Sequence, residues 1–155
     1  MDNSKLNSDI VVYNILIDGA SKSWKTNIAR SLFKDLTNQG LQPDVQSYNV
    51  MISALCREDL PRNAKQLFLD MEVSGCPPDN VTFRLLLQGY LETQCYDDVK
   101  MFLHEMEGRC YSLDVTTLSL LVDQIAVGSL ENTLLKLIGK LVPKELPDIP
   151  GVFSA

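Results

Sequence analysis

Residues 41–57 read LQPDVQSYNVMISALCR, and the chain repeats the pattern of this stretch at a fixed distance. Tyr48 stands 35 residues after Tyr13 and 35 before Phe83, and Leu118 closes the series. Asp9, Asp44, Asp79 and Asp114 keep the same step, as do Leu16, Met51, Leu86 and Leu121, and again Leu36, Met71, Met106 and Leu141. A period of this length marks a stacked array, in which one unit cannot bury its apolar face alone and a neighbour covers it.

Within each unit the apolar residues recur at helical spacing in two runs. In the first unit these are Val12, Leu16 and Ala20 with Tyr13 and Ile17, then Ile28, Ala29, Leu32, Phe33 and Leu36. A polar connection, Ser21–Lys25, separates them. Asp9 is placed to cap the first run, since its carboxylate can accept from the unpaired N–H groups of a first turn. Gly40, with Pro43 behind it, is placed to end the second, because glycine takes the left-handed conformation a helix exit requires. Pro61 falls in the first turn of its helix, where a missing N–H costs nothing. Each unit is therefore a pair of antiparallel helices, and the chain is all-α: about four 35-residue repeats and eight helices. The divisions are a lead-in at 1–9, repeats at 10–44, 45–79 and 80–114, a degenerate capping repeat at 115–142, and a tail at 143–155 broken by Pro143, Pro147 and Pro150.

Composition narrows the function classes. Lys and Arg number 14 against 20 Asp and Glu, a net charge of −6, and no unit is strongly basic. Broad phosphate neutralisation, the main source of non-specific nucleic-acid affinity, is therefore weak here. No apolar run is long enough to span a membrane. The opening MDNSKLNSDI has neither an apolar core nor an Arg-rich amphipathic pattern, so no signal or transit peptide is visible. Cys56, Cys76, Cys95 and Cys110 lie on different elements with no Cys-x-x-Cys pair, and His104 is the sole histidine. That scatter points to buried reduced thiols rather than a metal site. Without a clustered catalytic set or a Gly-rich phosphate loop, the chain reads as non-enzymatic and without cofactors.

A helix pair every 35 residues that opens V-x-x-Y-N-x-L/M-I and closes G-x-x-P-D resembles the pentatricopeptide repeat. VVYNILIDG with GLQPD, and VQSYNVMISALC with GCPPD, carry the resemblance, and NVTFRLLLQGY carries it more loosely. It covers about residues 10–140, and its wording is most similar to the P-type, restorer-of-fertility-like branch, as the C-terminal portion of an array. The tetratricopeptide repeat is the nearest competitor, but its period is about 34. One residue of slip per unit would misalign every column.

The resemblance implies a right-handed superhelix with the first helices inside, binding single-stranded RNA at one base per repeat. It implies that the fifth residue of each unit faces a base edge and that the last residue of the unit is its partner. These are Asn14 with Asp44 and Asn49 with Asp79, each pairing implied to favour uracil. Arg84 with Asp114 falls outside the usual pairings, and Ser119 has only Ile149 as a nominal partner, which is not a credible one. The second residues, Val11, Gln46, Val81 and Thr116, would sandwich the bases, with Gln46 departing from the usual apolar wedge. Proteins of an RNA-processing complex are further possible partners, and the implied location is the mitochondrion first, the chloroplast next. Two other readings stay open: a scaffold that binds proteins in its groove, and a truncated array that binds weakly. Tyr13, Tyr48 and Phe83 read as core rather than as stacking platforms, Trp24 as a loop residue covering a helix turn, and His104 as a solvated surface residue. The asparagines read as exposed, so Asn49→Ala should leave stability almost untouched, whereas Leu67 or Phe68→Ala should not.

Overall fold

The computed structural model describes residues 3–142, apart from 110 and 129, with side chains from residue 8 onward. Among them the chain forms eight helices and no strand. The order is α1 (Asn3–Lys22), α2 (Thr26–Asn38), α3 (Val45–Arg57), α4 (Pro61–Val73), α5 (Asn80–Glu92), α6 (Tyr96–Gly108), α7 (Val115–Ala126) and α8 (Leu134–Lys140). The chain divides into two compact units, residues 1–89 and 90–155, with the boundary inside α5.

Local chemistry sets the helix limits. The Asp44 carboxylate caps α3, accepting from the Ser47 N–H at 2.9 Å while the Ser47 hydroxyl takes the Asp44 N–H at 3.1 Å. Asp79 does the same with Thr82 at the start of α5, at 2.9 and 3.1 Å, and Asp114 accepts from the Thr117 N–H at 2.8 Å ahead of α7. This reciprocal arrangement satisfies donors that no helical carbonyl can reach. At the exits, Gly40 and Gly75 take φ of 79° and 86°, and the residues after them return an N–H to Leu36 and Met71. Only glycine does this without a Cβ clash.

Two features depart from the sequence reading. First, α1 begins at Asn3, so Asp9 lies inside a helix rather than capping it, and the lead-in at 1–9 is largely helical. Asp44 and Asp79 each follow a proline, which forces a break; Asp9 follows Ser8, and nothing stops the helix from extending backwards. Second, the turns inside the helix pairs use non-glycine residues in the left-handed region. Trp24, Asp59 and Gln94 have φ of 61°, 57° and 59°, again 35 residues apart. Trp24 stands 68% exposed, so most of its surface faces solvent.

In the first unit, α1 packs against α2 and α3, and α3 against α2 and α4. The aromatic column lies in this core. Phe33 meets Tyr48 edge-on at 5.5 Å between centroids, and Phe68 meets Phe83 at 5.2 Å, so the same joint recurs one period later. Such T-shaped pairs add to simple area burial. The Tyr48 hydroxyl reaches Ser74 at 3.1 Å, and Ser74 donates to the Met71 carbonyl, tying α3 to the end of α4. Phe68 is fully buried, whereas its neighbour Leu67 is only half-buried. Helix α1 leads the described chain, and its Val12 and Leu16 are 53% and 49% exposed where their counterparts Ser47, Met51, Thr82 and Leu86 are buried. Tyr13 is accordingly half-buried and donates its hydroxyl to Asp35 on α2.

The second unit buries Val99, Phe102, Leu103 and Met106 of α6 with Leu118 and Leu121 of α7 and Leu137 and Ile138 of α8. Tyr90 and Phe102 pair edge-on at 5.9 Å. The Leu113 N–H donates to the Leu141 carbonyl at 2.7 Å, which fastens the α8 exit beside the α7 cap.

Candidate nucleic-acid interface

The first helices carry Asn14 and Asn49 one period apart, and the loops ahead of α3 and α5 carry their partners. Asn14 Nδ2 donates to Asp44 Oδ1 at 3.1 Å, and Asn49 Nδ2 donates to Asp79 Oδ1 at 3.3 Å. The same carboxylate oxygen also caps the following helix. Helix start and side-chain pair are therefore one structure: the break that begins α3 also delivers Asp44 to Asn14.

Neither asparagine is the exposed residue the sequence suggests. Asn14 is 7% and Asn49 5% exposed, because the following hairpin packs over the helix that bears them. Sequence position within a first turn carries no information about that cover. The two sites also differ in detail. Asn49 Oδ1 accepts from the Thr82 hydroxyl at 2.6 Å. Among the described residues Asn14 Oδ1 is buried with no partner; the Ser47 hydroxyl lies 2.9 Å from Asp44 Oδ1, just as the Thr82 hydroxyl lies 2.9 Å from Asp79 Oδ1, but unlike Thr82 it makes no bond to the asparagine.

The carboxylates stay charged by local bonding. Partial burial pushes Asp44 up, but the Ser47 N–H, the Ser47 hydroxyl and the Asn14 amide outweigh it, and its pKa falls below the ordinary 3.8. Asp79 is lowered in the same way, burial again opposing the Thr82 N–H, the Thr82 hydroxyl and the Asn49 amide. Burial, then the charges of Asp44 and Asp79, push the Cys76 thiol up.

The remaining candidates are spread out. Val11 and Val81 are 53% and 39% exposed, and Gln46 is exposed beside them in the sequence repeat. Arg84 is half-buried on α5 in the first unit, and Asp114 caps α7 in the second. Ser119 and His104 are exposed. Ile149, the nominal partner of Ser119, lies outside the described residues, as do Cys110 and the tail at 143–155. Cys56 is buried, while Cys76 and Cys95 are half-buried rather than fully enclosed. Among the described residues, no group of His, Cys, Asp and Glu converges as a set of metal donors, and no helix is long and apolar enough to cross a membrane.

One contributor escaped the sequence reading. A Cβ on Gly89 would stand 2.3 Å from Cys56 Sγ, so α5 approaches α3 only because position 89 is glycine. The column Gly19, Ala54, Gly89 is small in the first three repeats, with Gln124 in the fourth, and that was the available signal.

The PPR repeat family profile matches residues 8–57 and again 43–92, and a single PPR repeat matches 81–111. The chain belongs to the pentatricopeptide repeat family. Its fold is that of solved pentatricopeptide solenoids. The crystal structure of the pentatricopeptide repeat protein PPR10 in complex with an 18-nt psaJ RNA element aligns with a TM-score of 0.73 at 20% identity, over 84% of this chain and 19% of that one. PPR10 from maize aligns at 0.68 and 22%, over 84% and 18%. The PPR domain of Arabidopsis thaliana protein-only RNase P 1, in complex with tRNA, aligns at 0.60 and 18%, over 74% and 59%. No curated protein sequence matches. The chain spans about a fifth of the length of the PPR10 chains it resembles.

Proposed function

We propose that the chain binds single-stranded RNA, one base per repeat, with Asn14/Asp44 and Asn49/Asp79 each reading a uracil. The observation that carries this reading is the recurrence of one amide–carboxylate pair at a one-period interval, built from the same helix start each time. An ionised carboxylate only accepts, so it holds the amide N–H side towards itself and fixes which way the carboxamide faces. A group oriented in this way can distinguish base edges, where a free amide would not. Pentatricopeptide structures solved with RNA lend support. Val11, Gln46 and Val81 are proposed to flank the bases, and Arg84 and Asp114 to make further RNA contacts. The repeat boundaries at 10–44, 45–79, 80–114 and 115–142, membership of the P-type, restorer-of-fertility-like branch, and an organellar setting, mitochondrial before chloroplast, belong to the same proposal. So does a non-catalytic role within RNA processing.

The net charge of −6 provides no general pull on phosphate, so affinity should be modest and its salt dependence shallow. The test is binding of the 155-residue chain to short oligonucleotides that differ at one position. Wild type should prefer uracil at two adjacent positions, and Asn49→Thr should shift the second towards guanine. Equal affinity of both proteins for every base overturns base reading. One observation favours a second reading, a protein-binding scaffold. A cleft of about 310 Å³ is floored by Phe33, Met51 and Leu55 and rimmed by Arg30, Gln66 and Asp70. Capture of a protein through that cleft, with no base preference, would select it.

A further inference from the structure

The two readers are built to one plan but are not held alike. We propose that the hydroxyl residue three places after each loop aspartate, Ser47 or Thr82, is a positioning residue that sets how strictly the asparagine packed against it distinguishes uracil from cytosine. The inference rests on the base-reading proposal above and adds to it an inequality between repeats.

Uracil and cytosine present opposite patterns on the edge a reader meets: a carbonyl acceptor on uracil stands where cytosine has an amino donor. A carboxamide carries an acceptor on one side and donors on the other, so a half-turn about its last bond inverts what it presents. Discrimination between these two bases therefore depends on resisting that half-turn. At both sites the loop carboxylate holds the nitrogen side, Asp44 for Asn14 and Asp79 for Asn49. Only at Asn49 is the oxygen side held as well, by the Thr82 hydroxyl at 2.6 Å. Turning Asn49 over would break both bonds and set its carbonyl against a carboxylate. Turning Asn14 over breaks one, because its Oδ1 is buried with no partner to lose.

The two hydroxyls sit alike on their caps, and the residues differ in how firmly each hydroxyl is held there. Ser47 and Thr82 both serve the cap equally, each accepting from the aspartate N–H at 3.1 Å. A threonine must also place its methyl, which narrows the rotamers open to its hydroxyl. Thr82 is fully buried, and its hydroxyl lies against Asn49. Each hydroxyl also lies 2.9 Å from its own loop carboxylate, Ser47 from Asp44 and Thr82 from Asp79, and the single Thr82 proton goes to the nearer acceptor, Asn49 Oδ1. The cap survives either residue, so exchanging them changes the latch alone.

The experiment is the pair of exchanges, Thr82→Ser and Ser47→Thr, each in the full chain. The uracil-to-cytosine affinity ratio is measured at each of the two adjacent positions. Wild type should discriminate more sharply at the Asn49 position, by about fivefold, the equilibrium equivalent of one neutral hydrogen bond. Thr82→Ser should remove that advantage, and Ser47→Thr should raise the ratio at the Asn14 position. Side-chain amide relaxation of Asn14 and Asn49 by NMR provides a readout without RNA. Asn49 should be the more rigid amide, loosened by Thr82→Ser, and Asn14 should stiffen in Ser47→Thr. If wild type prefers uracil but neither exchange moves either ratio, the latch is overturned and base reading stands. If wild type distinguishes no bases, both fall. Equal rigidity of the two amides in wild type also overturns the latch, whatever the binding shows.

Discussion

Substituting Gly89 by alanine sets two effects of known size against each other at one buried contact. Alanine is the better helix former by about 1 kcal/mol in a helix interior, so on propensity alone the change stabilises α5. The structure opposes it. A new Cβ would lie 2.3 Å from Cys56 Sγ and 3.0 Å from Cys56 Cβ. Rotating the thiol away relieves the first clash but not the second, because the Cβ does not move with χ1. The Cys56 thiol also packs inward, 3.9 Å from the Leu85 carbonyl, and Cys56 is only 7% exposed. Helices α3 and α5 must therefore part by a few tenths of an ångström, and overpacking of this kind costs about 1–3 kcal/mol. The net expectation is a loss of about 1–2 kcal/mol, seen in thermal or denaturant unfolding as a lower midpoint with unchanged slope. The decisive measurement is the double-mutant cycle with Cys56→Ala. Removing the sulfur relieves the worst overlap, so the double variant should be more stable than the two single losses added together, by about 1 kcal/mol. A Gly89→Ala protein at or above wild-type stability, or a cycle additive to within about 0.5 kcal/mol, refutes the close approach.

Four further outcomes are expected. Phe68→Ala, which empties a fully buried site beside Phe83, should cost about 3–5 kcal/mol. Against that scale Asn49→Ala should cost about 1–3 kcal/mol, since it strands buried partners, and Asn14→Ala should cost less because its Oδ1 already lacks one; denaturant titration ranks the three, and Asn14→Ala matching Asn49→Ala would contradict the asymmetry. Asp44 and Asp79 have folded pKa values lowered from 3.8, so their contribution is complete above that value and lost as pH falls through the folded values; acid titration of Asp44→Asn/Asp79→Asn should show a shallower decline over that window than wild type. Trp24→Gly should raise stability by about 1 kcal/mol by removing a left-handed bulky residue, and Asp59→Gly by less, since aspartate tolerates that region better; a thermal midpoint for Trp24→Gly below wild type would contradict it.

The architecture was legible because its cause is periodic. Helix pairs, the aromatic core and the Gly40 and Gly75 exits each follow from a residue type repeated at one step, the Pro61 start follows from a local rule, and a repeat is stabilised by contacts its neighbour repeats in turn. The candidate site was legible only as columns. Placing Asn49 opposite Asp79 needs the period alone, but finding it 5% exposed needs the hairpin that packs over it. Leu16 shows the reverse error: it sits in the column of Met51 and Leu86, yet it is 49% exposed because no described unit lies before it. A column assigns the same environment to every member, whereas burial depends on which neighbours are present. The left-handed turns at Trp24, Asp59 and Gln94 share a backbone and no side-chain chemistry, so no residue type announced them. Ser47 and Thr82 make the same point within the site. In the column Val12, Ser47, Thr82 and Thr117 the two hydroxyl residues are interchangeable as caps, but only the asparagine beside Thr82 has its oxygen side bonded as well as its nitrogen side. Function that depends on orientation therefore lies below the resolution of the repeat pattern, in differences between members of a column.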